Sequence, residues 1–404
     1  MIISRSIILL IIIWSIYLIN ALQTRDYFIY ISLNSTILII NFILAIFIGS
    51  VVFNLNNYSS KYKLNTTNYK SLLVRNKIFN FCLISYCVIL LIIFLRKIFY
   101  PYIFDIEMLR PNIFSAIKQE PHIISIIYVF LIYVKSLLLS FLFFFFIKFL
   151  FTKKYLEIIL ILTAVIFESL IFNSKGILST ILFIYILFFF LSKLKKQNMN
   201  FFFQSIQSII IIILLIYFIE IKRNGNLILT IKEYLLISPV LLSSVVDNTL
   251  QVFYNKWSFD NIFIIFSGLD YLVTLLFRAF GIPIQTYGYE FIKFIDLGQV
   301  VSSDTLTYNF ILRNSFYTLL LEPYLSFGFF GIIFLGFIAG YMISKYEYIY
   351  TKFKCEYSLF CLQFFAGVIA YGIFGSAFST ATFWLVLGFM IFFKSYIFIK
   401  NPTS

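Results

Sequence analysis

The sequence predicts an all-α integral membrane protein: a polytopic bundle of about ten (ten to twelve) transmembrane helices with one large extracytoplasmic loop containing short interfacial helices. Three observations predict it. The 404-residue chain is 62% apolar and only 12% charged, with a mean hydropathy of +0.98. A water-soluble domain is about a quarter charged, so lipid must solvate most of this chain. Continuous apolar runs near the ~20 residues that cross a hydrocarbon core of about 30 Å recur along it. Lysine and arginine gather in alternate segments between those runs, as the positive-inside rule requires.

The runs are 6–22, 36–53, 78–95, 123–148, 155–172, 176–192, 203–220, 324–344, 358–374 and 378–394. They are continuous rather than alternating, which excludes a transmembrane β-barrel. The first follows Arg5 and resembles a signal peptide, but Ile19-Asn20-Ala21 lacks the small-x-small cleavage pattern, so a retained first helix is expected. With the N-terminus inside, the inner segments hold Lys61, Lys63, Lys70, Arg75 and Lys77, then Lys148, Lys153 and Lys154, then Lys193, Lys195 and Lys196. Lys345, Lys352 and Lys354 follow, and Lys394 and Lys400 close the chain. The short outer segments are poor in cations, apart from 96–122, where acids partly offset Arg96, Lys97, Arg110 and Lys118. This pattern predicts N-in and C-in. It divides the chain into helices one to seven in 1–220, an external loop in 221–322, and helices eight to ten in 323–404.

Two apolar stretches fall in that loop. Residues 234–246 are too few to span and carry Pro239; residues 262–280 carry Gly268, Asp270 and Arg278. Both read as interfacial or re-entrant helices at the membrane edge. If both crossed, the count would be twelve and the parity of the other spans would survive.

Composition also excludes functions. The 54 Phe and 29 Tyr accompany abundant Ile, Asn and Lys, the bias of an AT-rich coding sequence, so the run 143–146 reads as lipid-facing bulk. The formal charge of +14 is scattered over short segments, so no nucleic-acid-binding domain is expected. Cys82, Cys87, Cys355 and Cys361 lack metal-ligand spacing, and the long loop has no cysteine to cross-link it. There is no P-loop, GxGxxG, HExxH or internal repeat, so neither a nucleotide nor a metal is expected to drive the protein.

A large exported loop usually carries a site. His122 is the single histidine, and the exported carboxylates contain no Asp-x-Asp pair, which argues against a metal-bound sugar nucleotide. The outer side does hold Arg110, Lys175, Lys222, Arg223, Lys256, Arg278, Lys293 and Arg313. Several cations without a metal suit a substrate already carrying a diphosphate, such as a polyprenyl-diphosphate-linked sugar. The competing reading anchors these cations to lipid head groups or nearby acids. Lys135 and Glu168 lie inside apolar runs, where a charge pairs or faces a polar cavity. Lys135 either contacts substrate phosphate or a carboxylate, or snorkels. His122 is either a general base or a polar residue at a helix edge.

Residues 313–331, RNSFYTLLLEPYLSFGFFG, run into a helix with Gly336 and Gly340. This segment resembles the region after the large external loop in O-antigen polymerases of the Wzy type. There an Asn-aromatic-Thr stretch precedes a Tyr-Leu-Asp-Phe-Gly-Phe-x-Gly helix start. Ser326 stands where that family often has Asp. The stretch Asn173-Ser-Lys175-Gly176 resembles the family's Ser-Arg-Gly turn, with a charge that has lost its donor fork. Residues 266–272, FSGLDYL, followed by Pro283 and Thr286, resemble its mid-loop helix.

The resemblance covers roughly 170–345 and the overall topology. It implies a GT-C-like membrane glycosyltransferase at the outer face of a bacterial inner membrane, with the large loop periplasmic. Such enzymes move a growing glycan from undecaprenyl diphosphate onto a fresh lipid-linked repeat unit, with no metal and no cofactor. The implied partners are the lipid-linked donor and acceptor and membrane lipids, with room for a chain-length regulator and none for nucleic acid. By carry-over, Lys175, Arg278 and Arg313 hold the diphosphate. Arg223 is a further candidate beside Lys135. Asp270, Glu322 and His122 are the candidates for the base that the acceptor hydroxyl needs. The alternatives are an O-antigen ligase, which the scarcity of histidine disfavours, and a lipid-linked glycan flippase, which the long asymmetric loop disfavours. A membrane acyltransferase would rest on His122 alone.

Overall fold

The computed structural model describes residues 3–23, 31–59, 259–282, 286–296, 299–304, 309–313, 318–353 and 356–373, with shorter runs in 81–95, 159–167, 238–247 and 378–391 and single residues 217 and 284. The main helices are α1 (Arg5–Gln23), α2 (Leu33–Ser59), α3 (Ser267–Ala279), α4 (Tyr287–Asp296), α5 (Leu321–Phe353) and α6 (Glu356–Tyr371). A 3-10 helix, Phe259–Phe266, leads directly into α3. The described residues are helical apart from one antiparallel hairpin of β1 (Gln299–Asp304) and β2 (Asn309–Arg313), interrupted by a register shift between Val300 and Ser302. The all-α expectation did not include this hairpin.

Three helices are long and apolar enough to cross a membrane: Arg5–Leu22, Leu33–Asn56 and Leu321–Lys352. The chain is thus a membrane helical protein. The expected runs 6–22, 36–53 and 324–344 lie within these helices, and α6 covers most of 358–374. The described parts of 78–95 and 155–172, and those of 378–394 from Phe383 on, are helical, whereas the runs 123–148 and 176–192, and 203–220 apart from Tyr217, lie outside the described residues.

The contacts divide the chain into two compact units. One joins Met1–Leu64, Asn226–Thr274 and Gln285–Trp384; the other joins Asn65–Gly225, Leu275–Ile284 and Leu385–Ser404. In the second unit, Tyr86, Leu90, Ile161 and Ala164 are buried, and the Cys87 thiol donates to the Leu160 carbonyl at 3.4 Å. The first unit holds α1, α2, α5, α6 and the described loop residues through Thr274 and beyond Gln285.

Its centre is a seam of small residues. A Cβ built on Gly340 would run into the Ile46 carbonyl, and one on Gly49 into the Phe337 carbonyl. A Cβ on Gly336 would lie 2.8 Å from the Ala45 Cβ and 2.9 Å from the Phe42 carbonyl. Gly336 and Gly340 on α5 and Ala45 and Gly49 on α2 each stand four apart, so each pair lines one helix face. In lipid no hydrophobic gain draws helices together, and small residues let backbones approach until dispersion contacts suffice.

The seam also fixes direction. Phe42 meets Gly336, Ile46 meets Gly340, and Ser50 meets Ser344 with hydroxyl oxygens 2.7 Å apart. Position rises on both helices together, so α2 and α5 run parallel. Two parallel spans of one chain require an odd number of crossings between them.

α1 runs antiparallel to both. It buries Ile7, Leu10, Trp14, Tyr17 and Ala21 at three- and four-residue spacing, while Ile12, Ile16 and Ile19 face outward. Its first amides would be unsatisfied in lipid. Ser4 caps it by accepting the Ile7 N–H. Glu347 of α5 accepts the Arg5 N–H on Oε1 at 3.0 Å and the Ser6 N–H on Oε2 at 2.9 Å. A carboxylate is also the charge that the positive end of the helix dipole favours.

Gly340→Val should lower stability by about 1–3 kcal/mol, because the backbones must separate. Gly367 sits inside α6 with nothing within 4 Å of a built Cβ. Gly367→Ala should therefore be neutral or stabilise by roughly 0.5–1 kcal/mol. Thermal unfolding of the two detergent-solubilised variants checks both; equal melting temperatures would remove the seam from its central place.

Candidate functional site

The end of the bundle where α1 finishes and α2 and α5 begin gathers the polar chemistry. Ser32 caps α2, accepting the Ser35 N–H on its hydroxyl and the Thr36 N–H on its carbonyl. Its own N–H goes to Ser243 Oγ at 3.1 Å, and Asn34 donates to Asp247 Oδ1 at 3.0 Å. Ser238 donates to the Ile373 carbonyl at 2.8 Å. A serine hydroxyl has one proton, so the Tyr17 hydroxyl, 2.9 Å away, must donate to Ser238. Trp14 Nε1 donates to the Ile369 carbonyl, an acceptor in the last turn of α6. Within the expected interfacial stretch 234–246, Ser238 and Ser243 thus dock on α1, α2 and the end of α6, residues that sequence reasoning did not single out.

α5 begins beside this cluster. Thr318 opens it, accepting the Leu320 N–H on Oγ1 and the Leu321 N–H on its carbonyl. The Leu319 N–H donates to the Gly372 carbonyl at 2.8 Å, joining the start of α5 to the end of α6. Pro323 suits a first helical turn, where its missing N–H costs nothing. The helix then breaks at Gly328, with φ 61° and ψ −145°. Nothing lies within 4 Å of a Cβ built there, so glycine is needed for its backbone conformation rather than for space. Three residues on, a Cβ on Gly331 would strike the Pro323 carbonyl. An unbroken helix would hold residues eight apart at about 12 Å, so the arm 321–327 folds over the start of the rod that follows.

Ser326, Gly328 and Gly331 of the Ser-Phe-Gly-Phe-Phe-Gly signature thereby have places in the bend. Ser326 is almost fully buried, and its Oγ accepts the Ile265 N–H at 3.1 Å from the 3-10 helix. The Gly268 N–H donates to the Phe378 carbonyl at 3.1 Å, which also receives Trp384 Nε1 at 2.7 Å. These bonds fix the first turn of α3 onto the bundle.

α3 and α4 form a hairpin. Asp270 Oδ2 accepts the Gly288 N–H at 2.8 Å, Thr274 and Thr286 hydroxyls lie 2.7 Å apart, and the Tyr271 and Tyr289 rings stack at 6.0 Å. Thr286 caps α4, accepting the Glu290 N–H on its carbonyl and the Tyr289 N–H on Oγ1 at 3.4 Å. A Cβ on Gly288 would lie 2.5 Å from Asp270 Oδ2, so only glycine lets the carboxylate approach.

The candidate residues divide accordingly. Asp270 is partly exposed and holds the N-terminus of α4 with one oxygen. Glu322 has no exposed surface and lies one turn before Ser326 on the arm. Arg278 is near the end of α3 and Arg313 ends β2; these are backbone positions, and their side chains lie outside what is described. His122, Lys135, Lys175 and Arg223 lie outside the described residues, as do Pro283 and Glu168. The structure therefore brings together the stretches that hold Asp270 and Glu322, through the Ser326–Ile265 bond.

Ser326→Ala should leave the part-buried Ile265 N–H without its acceptor, at a cost of about 1 kcal/mol. Exchange of that amide should then speed up roughly fivefold. Ser326→Asp keeps an acceptor and should retain protection. Hydrogen exchange read by mass spectrometry over 259–279 checks both, and unchanged exchange in Ser326→Ala would remove Ser326 as the latch. Compared with known proteins, the chain matches no family model, no curated protein sequence and no solved structure.

Proposed function

We propose that the protein polymerises undecaprenyl-diphosphate-linked oligosaccharide repeat units into O-antigen or a related surface polysaccharide at the outer face of a bacterial inner membrane. The observation that supports this most is spatial. Two of the stretches that carry the family resemblance, 266–272 and 313–331, lie at one end of a membrane helix bundle: Ser326 accepts from Ile265, the residue before Phe266, and Gly268 donates to Phe378. A lipid-linked substrate needs its tail in the bilayer and its head at such an end.

In this reading, a hydroxyl of the acceptor repeat unit attacks the anomeric carbon of the donor glycan. The bond from that carbon to the diphosphate breaks, and undecaprenyl diphosphate leaves with the bonding electrons. Lys175, Arg278 and Arg313, with Arg223 and Lys135 as further candidates, neutralise the charge growing on the diphosphate. The proton of the attacking hydroxyl passes to a carboxylate. Asp270, partly exposed with one oxygen spent on α4, and Glu322, buried at the junction, are the candidate acceptors among the described residues. Holding both lipid-linked reactants at one membrane edge lowers the entropic part of the barrier.

Deletion of the gene should collapse the lipopolysaccharide ladder of the host to core plus one repeat. Complementation with Glu322→Gln should recover on the order of 10²-fold less polymerising activity than wild type, at equal membrane abundance. Arg313→Ala should lose activity by a similar order, and Arg313→Lys should restore part of it. Loss of every repeat from the core, with long lipid-linked glycan accumulating, would reassign the protein as a ligase. An unchanged ladder would sink both readings and leave transport.

A further inference from the structure

The loop between the last spanning run of the first half and α5 is expected outside the membrane, yet part of it presents an apolar face. Phe263, Phe266, Leu269 and Val273 are each 42–51% exposed. Their spacing of three, three and four places them along one side of the 3-10 helix and α3. The opposite side is committed to protein: Ile264, Ser267, Leu272 and Thr274 are buried, and the Ile265 and Gly268 amides are bonded to Ser326 and Phe378. No cation falls between Phe263 and Val273, and the one carboxylate there, Asp270, is turned to the Gly288 N–H of α4.

We propose that this face is seated among the acyl chains of the bilayer leaflet at this end of the bundle, making the 3-10 helix and α3 a re-entrant wedge. Continuity with the lipid-facing surface of α5 identifies the occupant. Ser326 bonds Ile265, and its neighbours Phe327 and Phe330 are 44% and 80% exposed, so the two apolar surfaces meet at the bend of α5. The wedge does not cross. α3 has 13 residues, a rise of only about 20 Å. The Asp270–Gly288 bond and the Tyr271–Tyr289 stack show α4 returning along α3, and α4 packs back against the 3-10 helix. A helix with one apolar face lies about 5–10 Å into the head-group and acyl boundary. Exposed to water instead, this patch would invite association.

The test uses the full chain in liposomes, with its four cysteines replaced by serine and a nitroxide attached at Leu269→Cys or, independently, Val273→Cys. Oxygen partitions into acyl chains and a nickel chelate stays in water, so their collision rates with the label report its surroundings. Both labels should collide with oxygen severalfold more than with nickel, matching a label at Ile338→Cys on the exposed side of α5. A label at buried Leu272→Cys should collide little with either. Nickel exceeding oxygen at both positions would overturn the wedge in favour of a solvent-facing helix. Low collision with both reagents, accompanied by dipolar broadening between labels, would overturn it in favour of a second copy covering the face. The outcome stands apart from the lipopolysaccharide ladder, so the wedge and the proposed reaction fail separately.

Discussion

Everything described in the first unit is referred to one contact, the approach of the α2 and α5 backbones at Ala45, Gly49, Gly336 and Gly340. Side chains elsewhere in this chain are large, with aromatic residues at 21% of the sequence. Here Phe42 and Ile46 of α2 lie over glycine on α5 and are almost fully buried. Close approach makes the pairing specific, because a slip along either helix would put a phenylalanine where a glycine is required. Once the pairing is parallel, the start of α5 must share an end with the start of α2. The loop that precedes α5 must then be delivered to that end.

Polar atoms do the remaining sorting. An apolar face in lipid is equally content against an acyl chain or a leucine, so burial alone discriminates weakly among packings. An amide or carbonyl left alone there costs several kcal/mol. Glu347 answers the first amides of α1, Trp14 and Ser238 answer carbonyls at the end of α6, and Ser326 and Phe378 answer amides at the entry to α3. Each of these bonds links segments distant in sequence. A few hydroxyls, one indole and one carboxylate therefore specify an arrangement that the abundant Ile and Phe leave open.

This explains how much was legible in the sequence. Span positions were, because length and apolarity are properties of one continuous segment: α1 and α2 fall where the runs 6–22 and 36–53 put them. Faces were not, because Ile7 and Ile12 look alike in the sequence and only their surroundings separate buried from exposed. Gly336 and Gly340 were visible as small residues, but their partners Phe42, Ala45 and Ile46 lie some 290 residues away. The signature at 326–331 reads as the opening of a helix, whereas it is a break inside one. Positive φ at Gly328 belongs to the backbone, and Phe-Gly-Phe-Phe-Gly alone is compatible with either. Asp270 and Glu322 were recognisable as carboxylates at interesting places. That one caps a neighbouring helix and the other is sealed from solvent depends on Gly288 and on the fold of the arm.

The break has a further consequence for where charge can reside. Residues 329–353, beyond Gly328, rise about 37 Å as a helix, enough to cross a hydrocarbon core of about 30 Å without the preceding turns. The arm 321–327 is therefore not needed for spanning and is free to bend. Bending carries Glu322 off the axis of the rod and sets the arm against the 3-10 helix, so protein rather than lipid surrounds the carboxylate. A straight helix of the same sequence would offer Glu322 and Ser326 no partner element at this end. A charge at a membrane boundary is costly against lipid, and the glycine that permits the bend is what lets Glu322 lie inside the protein, with no exposed surface.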